Sequence, residues 1–335
     1  MYSAGPPKER DKLPASRSGG RLLLLLPALM FGCAAALSAR SFSRGVNEPE
    51  LLNYMRGQNA DSSCDICLNS AKKYYDEKRK DELNKKTAGM SLIPGGSYYI
   101  GSPEGVGDPD EHPGGGIYIS AFYIDKTEVT LENYAQFTRV TTGNFPEWQK
   151  SGGKYNIDTG SDKYYKRLDV LIKTCANCPV FGVTWEDANA YCRWKDKHLP
   201  TEAQWEAAAR AGSREKYFFG DTQDQAGEYS WNENNSGEVP HPVGQKKPNK
   251  YGLYDTGGNV WEWVSDLYDK RYYSVRPSKN PSGPQAGSEH VIRGGSWAFD
   301  ADSTRPANRA SYKKANDDIG FRCAVLEREL SREPE

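Results

Sequence analysis

Residues 251–263 read Tyr-Gly-Leu-Tyr-Asp-Thr-Gly-Gly-Asn-Val-Trp-Glu-Trp. Asp255 and Glu262 bracket two glycines, so a tight turn here can present two carboxylates and exposed backbone carbonyls to one hard cation. The same residues also suit a turn whose acids merely cap backbone N–H groups. The stretch lies within residues 215–323, which carry no long periodic segment and read as turns, short strands and loops.

Working outward, two helices upstream are marked by capping chemistry. Thr184-Trp185-Glu186-Asp187 opens one, with Ala188, Tyr191 and Cys192 on a single face. Thr201-Glu202-Ala203-Gln204 opens the other, with Trp205, Ala208 and Ala209 on one face and Gly212 as its stop. A shorter amphipathic helix follows Thr130, with Leu131, Tyr134 and Ala135 aligned. At Met90 the pattern changes to short β-forming runs between glycine clusters, and the main domain begins there.

The chain has 335 residues, and mixed or all-β domains run to roughly 250 residues without splitting. One large domain with appendages is therefore expected: residues 1–40 a signal or membrane anchor, 41–89 a polar spacer, 90–327 the domain and 328–335 a tail. Lys+Arg 44 against Asp+Glu 45 leaves a net charge of -1, so no global field draws the protein to nucleic acid. Leu22 to Ala39 is an uncharged stretch of 18 residues after Arg17 and Arg21. It reads as a signal anchor, a signal peptide cut after Ala36 or Ala39, or a lipoprotein signal with Cys33 lipidated, the reading favoured here. Each predicts export, with the membrane engaged through the N-terminus in the anchored forms. In the spacer, Asp76/Lys80 and Glu82/Lys86 stand at helical i,i+4 spacing, as on a solvated helix.

Four strings stand in order along the domain: Asp125-Lys126-Thr127-Glu128-Val129-Thr130; Leu199-Pro200-Thr201-Glu202-Ala203-Gln204-Trp205-Glu206; the opening stretch; and Arg293-Gly294-Gly295-Ser296-Trp297, closed by Gly320-Phe321-Arg322-Cys323. Together they resemble the formylglycine-generating enzyme, or sulfatase-modifying factor, family. The resemblance implies an α+β fold, a variant of the C-type-lectin-like fold with little regular secondary structure. It implies a structural calcium held by the side chains of Asp255 and Glu262 and the carbonyls of Gly258 and Val260. It also implies a disulfide between Cys192 and Cys323.

Oxidising members of the family hold copper(I) with two cysteines between the fourth string and its closing partner, and thiolates suit that soft ion. Residues 294–322 contain no cysteine. The counterparts fall near Phe299 and Thr304, so neither copper nor formylglycine generation is expected. The remaining cysteines form two C-x-x-C units, Cys64 with Cys67 and Cys175 with Cys178. An exported chain favours disulfides there over a zinc site or a catalytic dithiol. His112, His198, His241 and His290 show no metal-binding spacing, and no phosphate loop or nucleophile elbow occurs. These readings favour a non-oxidising envelope protein that binds a peptide, protein or glycan. The alternative is an oxidative enzyme of altered chemistry, with Asp300, Asp302, Arg305 and Arg309 facing the family's substrate groove, although the four also read as a solvated loop or a salt-bridged structure. A third reading makes the C-x-x-C units the active part.

Overall fold

Helix α1 (Ser62–Lys86) covers the charged run that i,i+4 spacing marks as helical, and nearly all of its described side chains are exposed. The computed structural model describes residues 62–150 and 164–330, and the chain divides into two units, residues 1–85 and 86–335. Cys64 and Cys67 fall within α1, but their side chains lie outside the described residues, as do Cys33 and the predicted leader. Among the described residues no helix is long and apolar enough to cross a membrane.

In the second unit, β1 (Met90–Ile93) pairs antiparallel with β4 (Phe122–Asp125), and β4 pairs with β9 (Ala324–Leu326), so the domain's first and last strands flank β4 in one sheet. Strands β2 (Gly96–Ile100) and β3 (Gly115–Ile119) form a separate antiparallel pair. Ile117 and Ile119 point inward and Tyr118 outward, the alternation of a half-buried strand. A third sheet has the order β7 (Arg309–Tyr312), β6 (His290–Arg293), β5 (Trp261–Leu267), β8 (Ile319–Gly320), with β5 and β8 parallel. Short strands joined by long loops make the α+β fold that the sequence predicts.

Helices α2 (Leu131–Thr141), α3 (Tyr165–Thr174), α4 (Trp185–Trp194) and α5 (Glu202–Arg210) surround these sheets. Both predicted capping boxes are present: Thr184 accepts from the Asp187 N–H and Thr201 from the Gln204 N–H, with each third residue reaching back. Helix α3 is a departure from the sequence reading. Its Leu168 and Leu171 carry a helical stripe into the core, and no capping side chain announces its start.

The larger core packs α2 and α4 against Trp263 and Phe321. Tyr134 stacks on Tyr191 at 5.7 Å, and Phe137 and Phe321 meet Tyr191 edge-on at 5.5 and 5.4 Å. Such pairs contribute about 0.5–1.5 kcal/mol each beyond burial. The Cys192–Cys323 disulfide crosses this core and joins α4 to the approach to β9. A second disulfide, Cys175–Cys178, staples the loop that follows α3. The carbonyls of Cys178 and Ala176 accept from the Leu131 and Glu132 N–H groups, which satisfies the first turn of α2.

Candidate functional site

The turn at residues 255–259 is held by backbone that most residues avoid. Asp255 and Asn259 adopt left-handed conformations with φ of 55° and 62°. At Gly258 a Cβ would collide with the Trp231 carbonyl, so only glycine fits. Asn259 is fully buried and ties three segments together. Its side chain accepts from the His241 N–H at 2.9 Å and donates to the His241 carbonyl at 3.3 Å. Its own N–H donates to the Trp231 carbonyl, and its carbonyl accepts from the Trp297 N–H, both at 2.8 Å. The motif thus clamps the loop at 231–241 to the segment that begins at Arg293.

Glu262, expected to ligate a cation, is occupied differently. Arg322 donates to both its oxygens at 2.7 Å, and the Trp205 indole N–H adds a bond at 2.8 Å. The remaining donors of Arg322 go to the carbonyls of Asp125, Lys126 and Tyr254. The buried guanidinium therefore neutralises this carboxylate in the forked geometry that arginine favours.

The unpaired oxygens lie elsewhere. Asp255 accepts from the Gly244 N–H at 2.6 Å through Oδ2, but its Oδ1 is buried without a hydrogen-bond partner. Neither oxygen of buried Glu128 meets an N–H or hydroxyl donor, and its carboxyl stands in hydrogen-bond contact with that of Asp255. Burial, then the charge of Asp255, pushes the Glu128 carboxyl well above the usual range. Burial raises Asp255 too, against the Gly244 N–H and Arg322. Oxygen donors left bare in this way fit a hard cation. Among the described residues no group of three or more His, Cys, Asp or Glu is arranged to hold a metal, so backbone carbonyls would have to complete the shell. Sequence reasoning missed Glu128. No local signal ties it to the turn, which lies more than a hundred residues further along the chain.

Phe299 and Thr304 differ in environment. Phe299 is 44% exposed and rests edge-on against Trp261 at 5.6 Å. Thr304 is buried, its hydroxyl donating to the Ala301 carbonyl at 2.7 Å. All four cysteines of residues 90–327 are in disulfides. His241 and His290 each stack on a different tryptophan, Trp231 at 3.7 Å and Trp185 at 4.0 Å.

The expected groove constellation divides. Asp300 is exposed and accepts from the Ser303 N–H and hydroxyl, while Asp302 pairs with Lys216 at 2.7 Å and with Arg305. Arg305 and Arg309 turn inward and take the salt-bridged alternative. Arg305 pairs with buried Glu111 at 2.8 Å, and Arg309 forks onto Glu202 at 2.6 and 3.0 Å. Through Glu202, Arg309 belongs to an ion-pair network with Arg293, Glu206 and Arg210, while Arg305 makes a separate one with Glu111 and Asp302. Against the upward push of burial, Arg293 and Arg210 hold the Glu206 carboxyl below its ordinary value. With every carboxylate answered by an arginine, the network is a scaffold rather than a reactive cluster.

Residues 75–326 match the Sulfatase-modifying factor enzyme 1-like domain family. The chain is 32% identical to the formylglycine-generating enzyme of Streptomyces coelicolor, over 72% of this chain and 90% of that one. It is 28% identical to a Bos taurus protein named inactive C-alpha-formylglycine-generating enzyme 2, over 72% of this chain and 89% of the other. Among solved structures, variable protein 1 of Treponema denticola is similar with a TM-score of 0.57 and 26% identity, covering 71% of this chain and 94% of that one.

Proposed function

The chain belongs to the sulfatase-modifying factor enzyme 1-like family, and on that premise we propose that it is an exported, membrane-attached member that binds a peptide, protein or glycan in the cell envelope and does not generate formylglycine. One observation carries the reading. No cysteine lies between Gly294 and Arg322, and every cysteine of the domain is in a disulfide, so the domain offers no thiolate pair to a soft copper(I) ion. The similar bovine protein named as inactive supports the same fold serving without that activity. Export rests on the apolar segment from Leu22 to Ala39. The test is incubation of the copper-treated protein with oxygen and a cysteine-bearing sulfatase peptide. The peptide is expected to keep its thiol, and a mass change to the aldehyde overturns the proposal.

Calcium is part of the same reading. Asp255 and Glu128 would hold it through the oxygens that lack partners, with the carbonyls of Gly258 and Val260 completing the shell. The ion would supply the positive charge that Arg322 already gives to Glu262. Its role would be to fix the turn that clamps the loop at 231–241.

A further inference from the structure

Strand β2 and the loop that leaves α5 line a cleft of about 280 Å³, just below the usual range of ligand pockets and large enough for one ring. Tyr98, Tyr99 and Tyr251 line it, together with Ser97, Ser213 and Arg214. Two guanidinium groups, those of Arg210 and Arg214, lie 5.8 Å from the Tyr99 ring centre, and they differ in their commitments. Arg210 is buried and bonds Glu206 and the carbonyls of Gly101 and Glu215. Arg214 is exposed and forms no ion pair among the described residues. The carboxylate of Glu215 meets the Ser213 hydroxyl at 3.5 Å. The cleft therefore carries one guanidinium fork with its charge uncompensated.

Beside it the Tyr98 phenol is neutral and held in place. The Tyr98 hydroxyl donates to the Pro94 carbonyl at 2.5 Å and lies 3.5 Å from the Tyr251 hydroxyl. Burial and Tyr251 raise the Tyr98 phenol, which keeps it protonated. Gly96 keeps the space open: it shares a strand face with Tyr98, yet a Cβ built there meets nothing within 4 Å.

Aromatic faces beside fixed hydroxyls and one unpaired guanidinium match a ring that has apolar C–H faces, hydroxyl edges and a single acidic group. We infer that this cleft is a binding site for an acidic sugar residue, with Arg214 receiving its carboxylate or sulfate. The site uses none of the residues at 294–305, so it stands or falls apart from the absence of copper chemistry.

The test is saturation-transfer NMR on the full-length protein with glucuronate, glucose and acetate as probes. Glucuronate is expected to bind about tenfold more tightly than glucose, the difference a charge-assisted fork provides, and acetate is expected to give no signal. Arg214→Gln should reduce glucuronate to the level of glucose. Gly96→Leu should fill the cleft and abolish both signals without changing the thermal midpoint. Absence of glucuronate binding, equal binding of glucuronate and glucose, acetate binding as strong as glucuronate, or binding that survives Gly96→Leu each overturns the inference.

Discussion

Glu262 and Glu128 are both fully or nearly fully buried acids beside the same turn, and their partners separate them. Glu262 has Arg322 on both oxygens, whereas Glu128 meets no N–H or hydroxyl donor and lies against the carboxyl of Asp255. Arg322 opposes the charge of this pair only from a distance, its donors being taken by Glu262 and three carbonyls, and a cation that binds only the folded form stabilises the pair further. Thermal midpoints measured in chelator and after calcium is restored should therefore differ by on the order of 5 °C for a domain this size. Glu128→Gln should remove the response. Glu262→Gln should keep it while lowering stability by about 3–5 kcal/mol, because it leaves Arg322 buried and unpaired. A midpoint indifferent to calcium in the unmodified protein would exclude the site. The opening stretch at 251–263 discloses Asp255, because its glycines and acids are adjacent in sequence. Glu128 was not legible, since nothing local ties it to a turn more than a hundred residues away.

At the scale of elements, local chemistry places the helices and long-range chemistry fixes their ends. Thr184 and Thr201 with their third residues are read correctly from sequence because a capping box is complete within four residues. Helix α5 then receives a cap that sequence cannot show. Asp266, on β5, accepts from the Glu202 N–H at 2.9 Å and from the Ser265 hydroxyl. Burial first, then the neighbouring Glu202 charge, pushes the Asp266 carboxyl up to about 7, opposed by those bonds and by Arg309. The folded state thus holds this proton more tightly than the unfolded chain. Its contribution to stability is fully present below about pH 4 and is lost as pH rises toward and through about 7, with a slope approaching 1.4 kcal/mol per pH unit. Denaturant titrations of the protein and of Asp266→Asn across this window should diverge. The stability of the native protein relative to the variant should fall as pH rises. A relative stability that stays constant with pH would show that Asp266 titrates as an ordinary acid.

Across the whole molecule, the chain's distant parts are joined by contacts of very different legibility. The Cys192–Cys323 bond closes a separation of 131 residues and is expected to contribute about 2–4 kcal/mol. Family resemblance implied it, and it joins the α4 core to the approach to β9, where the domain's end meets its beginning. Sequence names no partners for a salt-bridged Arg305 and Arg309, because their acids, Glu111 and Glu202, lie 194 and 107 residues away. A run of alternating charges looks solvated until the fold brings those partners to it. The same global argument connects the disulfides to the N-terminus. Disulfides persist best in an oxidising compartment, and the proposed export through the segment at Leu22 to Ala39 would supply one. Intact mass spectrometry of protein from its own host, with thiol alkylation before and after reduction, tests this connection. The expected product begins at Cys33 with added lipid mass, and Cys175, Cys178, Cys192 and Cys323 take up alkylating reagent only after reduction. An unprocessed N-terminus with these four cysteines alkylated without reduction would place the protein in a reducing compartment and remove the basis for an envelope role.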